Sequence, residues 1–273
     1  MYPGDAIGRG TELTILMAHH GCEHLIARAI DSLRAQTFQD WTLVVIDDGS
    51  ADPEPLRAIL SQLAEPRLIA LRTSRNVGQY RIYNRLLPDI ASPYLAFHDA
   101  DDWSAPSRLE TMLIRMRRSG CAVLGSWLVQ VDESGVPLAA LRPPENVNQA
   151  LSWRCRGGVI YGATALCRTD FVHRLGGYDG TTRFGADTDL IYRAVFRGAV
   201  HNHPEALYYY TLRAGSLTQS SQTGFGSPSR RAYARCIRRR FYANLLRYRL
   251  GRLSDTHLLA AGNDVAFNLM PLE

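Results

Sequence analysis

Tyr94-Leu-Ala-Phe97-His-Asp99-Ala-Asp101-Asp102 is the stretch whose reading decides the fold. Tyr94 to Phe97 is a short apolar run and reads as a buried strand. Three carboxylates follow it within four residues. Like charges that close repel one another unless something offsets them. A hard divalent cation, Mn²⁺ or Mg²⁺, takes oxygen ligands and bridges phosphate oxygens. An acidic turn ahead of a helix at Ser107 suits the same residues, so the cluster by itself leaves both readings open.

Upstream, the same alternation recurs. Leu13 to Met17, Trp41 to Ile46 and Leu68 to Leu71 read as strands. Glu23 to Gln36, Pro55 to Leu63 and Val77 to Ile90 have helical spacing. Strand and helix in turn predict βαβ units and a largely parallel sheet. Ligands of such sheets bind at the carboxyl ends of the strands. Asp47-Asp-Gly-Ser50 and the Asp99 cluster both fall at such ends.

Downstream, Ser107 to Arg118 reads as a helix and Cys121 to Val131 as a strand. Asn146 to Trp153 suits a short helix, Ala163 to Cys167 a strand and Thr188 to Phe196 a helix. Leu207 to Thr211 reads as an edge strand. Ser216 to Ser229, rich in Ser, Thr, Gly and Gln, reads as a mobile loop. Arg230 to Arg252 is an arginine-dense helix candidate.

The bulk composition bounds the function. The 273 residues suit one large domain, with ordinary hydrophobic (46%) and charged (21%) fractions. All 31 basic residues are arginine, and a net charge of +5 permits an anionic partner without demanding one. Five widely spaced cysteines without a CxxC argue against a disulfide framework or zinc site and fit a reducing compartment. Met1 to Gly10 lacks a signal peptide's apolar centre, and no run approaches a membrane span. A cytoplasmic protein is expected. Neither GxGxxG nor GxxxxGK[ST] is present, which counts against dinucleotide and P-loop binding.

Other candidates remain ambiguous from sequence. Asp47-Asp48 can accept from a base or ribose, or simply make an Asp-Gly turn. Asp187 and Asp189 flank Thr188. Either can be a general base, and either can serve a helix N-terminus. His19, His20 and His24 lack a third type of ligand nearby, which disfavours zinc.

Taken together, the chain resembles the inverting family 2 glycosyltransferases of the GT-A fold, from Leu13 to about Thr218. The resemblance rests on the opening strand Leu13–Ala18, Ser32-Leu-Arg-Ala-Gln-Thr37 and Val45-Ile-Asp-Asp-Gly-Ser50. It continues through Asn76-Val-Gly78 with Asn84, Phe97 to Asp102 and Leu175-Gly-Gly-Tyr-Asp179. Ala186-Asp-Thr-Asp-Leu190 and Ser216-Leu-Thr218 complete it. The order and spacing of these motifs make the resemblance specific.

The resemblance implies an α/β GT-A fold: a Rossmann-like βαβ nucleotide-binding half (about 11–103) and an acceptor half (about 104–218). A mixed central sheet and a C-terminal helical extension (219–273) are expected with them. It implies a metal at Asp99 and Asp101, with Asp99 also at the donor diphosphate. Asp48 would read a uracil N3–H, while Ala18 and His20 would line the base pocket. Asn76, Gly78, Arg81 and Arg213 would complete donor binding, and Asp187 would be the base. Trp127, the stretch from Arg156 to Gly162 and the region around Tyr178 are the acceptor candidates by position.

Three departures stand out. Ala186 replaces the Glu that usually precedes the base, and Tyr83 an Arg before Asn84. Arg213 replaces a His that helps bind metal or diphosphate. An arginine cannot ligate a cation but can neutralise phosphate oxygens directly.

The expected function is non-processive transfer of one sugar, from a UDP-sugar by preference, to a saccharide or lipid-linked acceptor in glycoconjugate biosynthesis. The alternatives are a sugar-nucleotide-binding protein with an impaired site and a nucleotidyltransferase. The basic helix predicts contact with an anionic membrane, a dimer contact or a solvated face. Nucleic acid is not an expected partner.

Overall fold

The computed structural model describes residues 6–224, 226–260 and 267–272. The first five residues of the N-terminal stretch, Phe225 of the loop, and 261–266 and 273 of the C-terminal extension lie outside the described residues.

The chain opens with β1 (Leu13–His19), α1 (Glu23–Arg34), β2 (Trp41–Asp47), α2 (Glu54–Leu63) and β3 (Leu68–Thr73). These are followed by α3 (Gln79–Leu86) and β4 (Tyr94–Phe97). The four strands lie parallel in the order β3-β2-β1-β4. The predicted helix Val77–Ile90 is shorter in the structure. Gly78, at φ 91°, sits in the left-handed region and delays its start, and Leu87–Asp89 tightens into a 3₁₀ turn.

Next come β5 (Trp103–Ser104), α4 (Arg108–Ser119), β6 (Val123–Val131), β7 (Pro137–Leu141) and α5 (Val147–Leu151). The chain continues with β8 (Leu166–Arg168), α6 (Thr169–Arg174), α7 (Ala186–Ala194) and β9 (Val200–Thr211). It ends in α8 (Pro228–Arg249) and β10 (Leu269–Pro271). The full order is β10-β3-β2-β1-β4-β8-β6-β9-β5, with β7 also on β6. β8 runs antiparallel to β4 and β6, so the sheet is mixed.

Strand alternation divides the core in two. Ile15, Met17, Leu43 and Val45 face α1, α2 and α4, meeting Ile26, Leu56 and Met112. Leu16, Val44 and Ile46 face the other layer, which holds Ile82 of α3, Phe171 of α6, Leu190 of α7 and Phe241 of α8.

Two predicted strands are corrected. Leu207–Thr211 is not an edge but the second half of β9, between β6 and β5. Its first half escapes a hydrophobic pattern because His201, His203, Pro204 and Glu205 interrupt it. Of Ala163–Cys167, residues 163 and 164 belong to a 3₁₀ turn, and the strand begins at Leu166. Residues beyond 218 share the main fold: α8 packs on the core through Ile237, Phe241 and Leu245, and β10 pairs with β3.

Candidate functional site

Strand order reverses between β1 and β4: the chain winds outward through β2 and β3, then returns to β1's other side. A crevice opens at such a switch point, at the strands' carboxyl ends. A cavity of about 600 Å³ lies there. Ala18 lies near the end of β1 and His20 just after it, Asp48 follows β2, and Asp99 and Asp101 follow β4; all five line it. Asn76, Gly78, Gly162, Tyr178, Asp187, Arg213 and Ser216 to Thr218 line it as well.

Asp48 is tied to the backbone. Its Oδ1 accepts from Val77 N at 2.7 Å, and its Oδ2 from Gly78 N at 2.9 Å. The Asp-Gly turn and the pocket role are therefore one arrangement. Gly49, at φ 69°, makes it feasible: a Cβ there would lie 2.1 Å from the Arg75 carbonyl carbon. Asn84 holds the Gly-Gly-Tyr-Asp segment in the same manner, donating to Tyr178 O and accepting from Tyr178 N, both at 2.7 Å.

The acidic cluster has the donor set of a hard cation. One oxygen each of Asp99, Asp101 and Asp102 lies within 4.8 Å of the others. Asp102 is buried and structural through Oδ1, which accepts from Thr211 N at 2.7 Å. Its buried Oδ2 has no hydrogen-bond partner among the described residues. An orphaned buried carboxylate oxygen in an acidic cluster is costly without a cation. The residues thus fit a divalent metal at the predicted pair: Asp99 and Asp101 line the cavity, while Asp102 is buried off its lining.

Burial, then the Asp101 and Asp187 carboxylates, push the Asp99 carboxyl up to about 7. A carboxyl raised above its unfolded value of about 3.9 favours the folded state when protonated. Its contribution is complete below about pH 4 and is lost as pH rises through about 7. A bound cation removes that loss. Mn²⁺ is therefore expected to raise the melting temperature more at pH 8 than at pH 5.5. Equal shifts in a thermal melt at the two pH values would contradict this origin.

Asp187 opens α7 on the opposite wall. Its Oδ1 accepts from Tyr80 OH at 3.2 Å. Gly162 leaves it room, since a Cβ there would lie 2.9 Å from Asp187 Oδ2. Asp189 is different: it is buried, and its Oδ2 accepts from Arg193 Nε at 2.8 Å while Oδ1 pairs with Arg240. The histidines do not gather either. His19 is buried beside Asp47 and Glu23, and His24 pairs with Glu133.

Two predicted site residues are not in the lining. Arg81 turns from the pocket-facing Tyr80 and Tyr83 of its helix, and its Nε donates to Gly180 O at 2.7 Å. Trp127 precedes Leu128 and Gln130, the lining residues of β6, and is out of phase with them; its Nε1 donates to Pro143 O at 3.0 Å. Tyr178 contributes mainly packing: it is 4% exposed, stacked on Tyr80 at 5.2 Å and edge-on to Phe97 at 5.5 Å. Arg213 does not stand free, because its Nε pairs with Asp101 Oδ2 at 2.6 Å.

Sequence reading missed several residues. Arg108 looks like a surface arginine of α4 but is 1% exposed. Its Nη2 donates to Phe97 O at 3.1 Å and Ala163 O at 2.9 Å, fixing the strand end that carries Asp99. Arg183 reaches across the cavity mouth, and its Nη2 donates to Asn76 O at 2.8 Å. Phe184 and Arg230 also line the pocket. Nothing in their local sequence marks them; the tertiary fold brings them there.

The fold is of the GT-A type, a mixed α/β sheet with its crevice at the switch point. A solved structure of S. aureus TarS 1-349 in complex with UDP-GlcNAc is similar at TM-score 0.66 and 18% identity. That likeness covers 88% of this chain and 73% of the TarS chain. The chain belongs to glycosyl transferase family 2, whose family model matches residues 14–176. It is 29% identical over 209 residues to the putative glycosyltransferase EpsE of Bacillus subtilis, covering 73% of this chain and 72% of that one. It is 26% identical over 226 residues to the succinoglycan biosynthesis protein ExoO of Rhizobium meliloti, covering 78% and 64%. The chain thus spans just under two thirds of ExoO's length. Among the described residues, no helix is long and apolar enough to cross a membrane.

Proposed function

We propose that this protein is an inverting, metal-dependent transferase acting in the cytoplasm or at its membrane face. It moves one sugar from a nucleotide diphosphate sugar, a UDP-sugar first, to a saccharide or lipid-linked hydroxyl in polysaccharide or glycoconjugate synthesis. The observation that carries this reading is one cavity with Asp99 and Asp101 on one wall and Asp187 on another.

The donor's nucleoside would enter between Ala18, His20 and Asp48, in the half formed by residues 11–103. The acceptor would meet residues of 104–218 near Gly162 and Tyr178. Asp187, oriented by Tyr80, takes the proton of the attacking hydroxyl. The attack displaces the diphosphate from the opposite face; with one base and no enzyme nucleophile, the anomeric centre inverts. Arg213 and Arg183 supply positive charge to the diphosphate oxygens. A divalent cation held by Asp99 and Asp101, Mn²⁺ or Mg²⁺, supplies further neutralisation of the leaving group. Support for the donor class comes from relatives: TarS is solved with UDP-GlcNAc, and an Escherichia coli relative, WfgD, is called a UDP-Glc glucosyltransferase.

The Arg213–Asp101 ion pair and Ala186 favour a second reading, a binding protein with an impaired site. Incubation with Mn²⁺ and a panel of nucleotide sugars separates the two. We expect slow release of the nucleoside diphosphate from one donor and metal-dependent binding of UDP. Arg213→Ala is expected to weaken donor binding about tenfold, the scale of one charge-assisted contact. Metal-dependent binding without turnover on the whole panel would leave the second reading ahead. Wild-type affinity in the variant would remove Arg213 from the donor site.

A further inference from the structure

We infer that the outward face of α8, with the adjoining segment at Trp153, docks this enzyme on an anionic lipid bilayer. Donor chemistry and the choice of base do not enter this inference. Charge comes first. Between Glu205 and Asp255 the chain has ten arginines and no acidic residue. The rest of the chain then holds 21 arginines against 26 acidic residues, a balance of −5. The protein is therefore an electrical dipole, and an anionic plane orients it with α8 inward.

The helix divides these arginines by role. Tyr233, Ile237, Phe241 and Leu245 pack inward, and Arg240 on their flank reaches Asp189 and Asp179. Arg231, Arg235, Arg239, Tyr242 and Leu246 recur every three or four residues on the opposite, exposed side. No carboxylate pairs with Arg231, Arg235, Arg238 or Arg239 among the described residues.

Apolar groups stand among these charges. Trp153 is 79% exposed and Leu246 60%, with Tyr242 and Leu250 exposed beside them. The patch is built rather than frayed. Arg249 lies over the Trp153 ring at 4.7 Å and donates to Ser152 O at 2.9 Å, and Cys155 N donates to Tyr242 OH at 3.2 Å. Aromatic and aliphatic side chains between arginines match the headgroup boundary of a bilayer, where rings enter and guanidinium groups meet phosphate. A solvated basic face has no use for an exposed tryptophan. The patch also adjoins the site: the segment from Trp153 runs into Gly158 and Tyr161 of the cavity wall, and Arg230 of α8 lines the cavity. An acceptor held in the bilayer would thus meet the pocket from this side.

The test uses the full chain with vesicles carrying roughly 30% phosphatidylglycerol, against pure phosphatidylcholine. Co-sedimentation is expected with the anionic vesicles alone, and brominated lipid is expected to quench Trp153. Trp153→Phe should remove that quenching. Arg235→Glu with Arg239→Glu should lower vesicle binding about tenfold or more. Trp153→Ala with Leu246→Ala should weaken binding that survives added salt. All variants should keep the wild-type melting temperature and donor hydrolysis. Absence of binding at low salt, equal binding to both vesicles, or binding unchanged by either pair would overturn the inference. So would a dimer in sedimentation that Trp153→Ala with Leu246→Ala dissociates, or tighter binding to an oligonucleotide than to the anionic vesicles.

Discussion

Asp187→Asn is expected to keep donor affinity within about twofold and to lower turnover by about a thousandfold, the middle of the range for a general base. Asparagine preserves the size of the side chain and can still accept from Tyr80 OH, so the wall of the pocket is unchanged. It cannot take a proton from an attacking hydroxyl. The measurement is transfer or donor hydrolysis beside calorimetric titration of UDP with Mn²⁺. Turnover within about tenfold of wild type would transfer the base role to another group. Lost donor binding would show that Asp187 holds the donor instead. The melting temperature should move little, because Asp187 is only partly buried and makes one side-chain hydrogen bond.

Asp189→Ala, two residues further along the same helix, should do the reverse. Asp189 and Arg193 are each about 1% exposed. Arg193 also donates to Leu175 O, Leu258 O and Gly177 O, which joins α7 to the Gly-Gly-Tyr-Asp segment and to the residues after α8. Arg240 of α8 closes on the other oxygen of Asp189. Removing the carboxylate leaves a buried guanidinium uncompensated, at a cost of about 3–5 kcal/mol. For a chain of this size that corresponds to a melting temperature lower by roughly 5–9 °C. Protein that survives should retain the donor site, since Asp189 does not line the cavity. A change below about 1 kcal/mol would mean that the backbone carbonyls satisfy Arg193 without it.

These neighbours separate what the two levels of description hold. Asp187 and Asp189 are the same residue type at the start of one helix, and local sequence gives no reason to prefer either. The helix turns about 100° per residue, so two positions apart they face different surroundings: the cavity for one, the core for the other. Arg213 and Arg240 show the same limit. As sequence, both are arginines in a basic C-terminal third. In the fold one closes on Asp101 and the other on Asp189.

The α/β alternation, the parallel β1–β4 unit and the acidic turns at its strand ends follow from hydrophobic period and turn chemistry. These are properties of neighbours in the chain, so the sequence alone specified them, and with them the place of Asp48, Asp99 and Asp101. The remaining strands and the opposite wall depend on contacts between distant residues. β9 is interrupted by polar residues and is held by β6 and β5, which lie far away in sequence. Arg108, Arg183 and Phe184 reach the site through packing that no local period records. Burial and partner are properties of the folded arrangement, and only that arrangement decided which carboxylate faces the cavity and which arginines stand exposed on the outer side of α8.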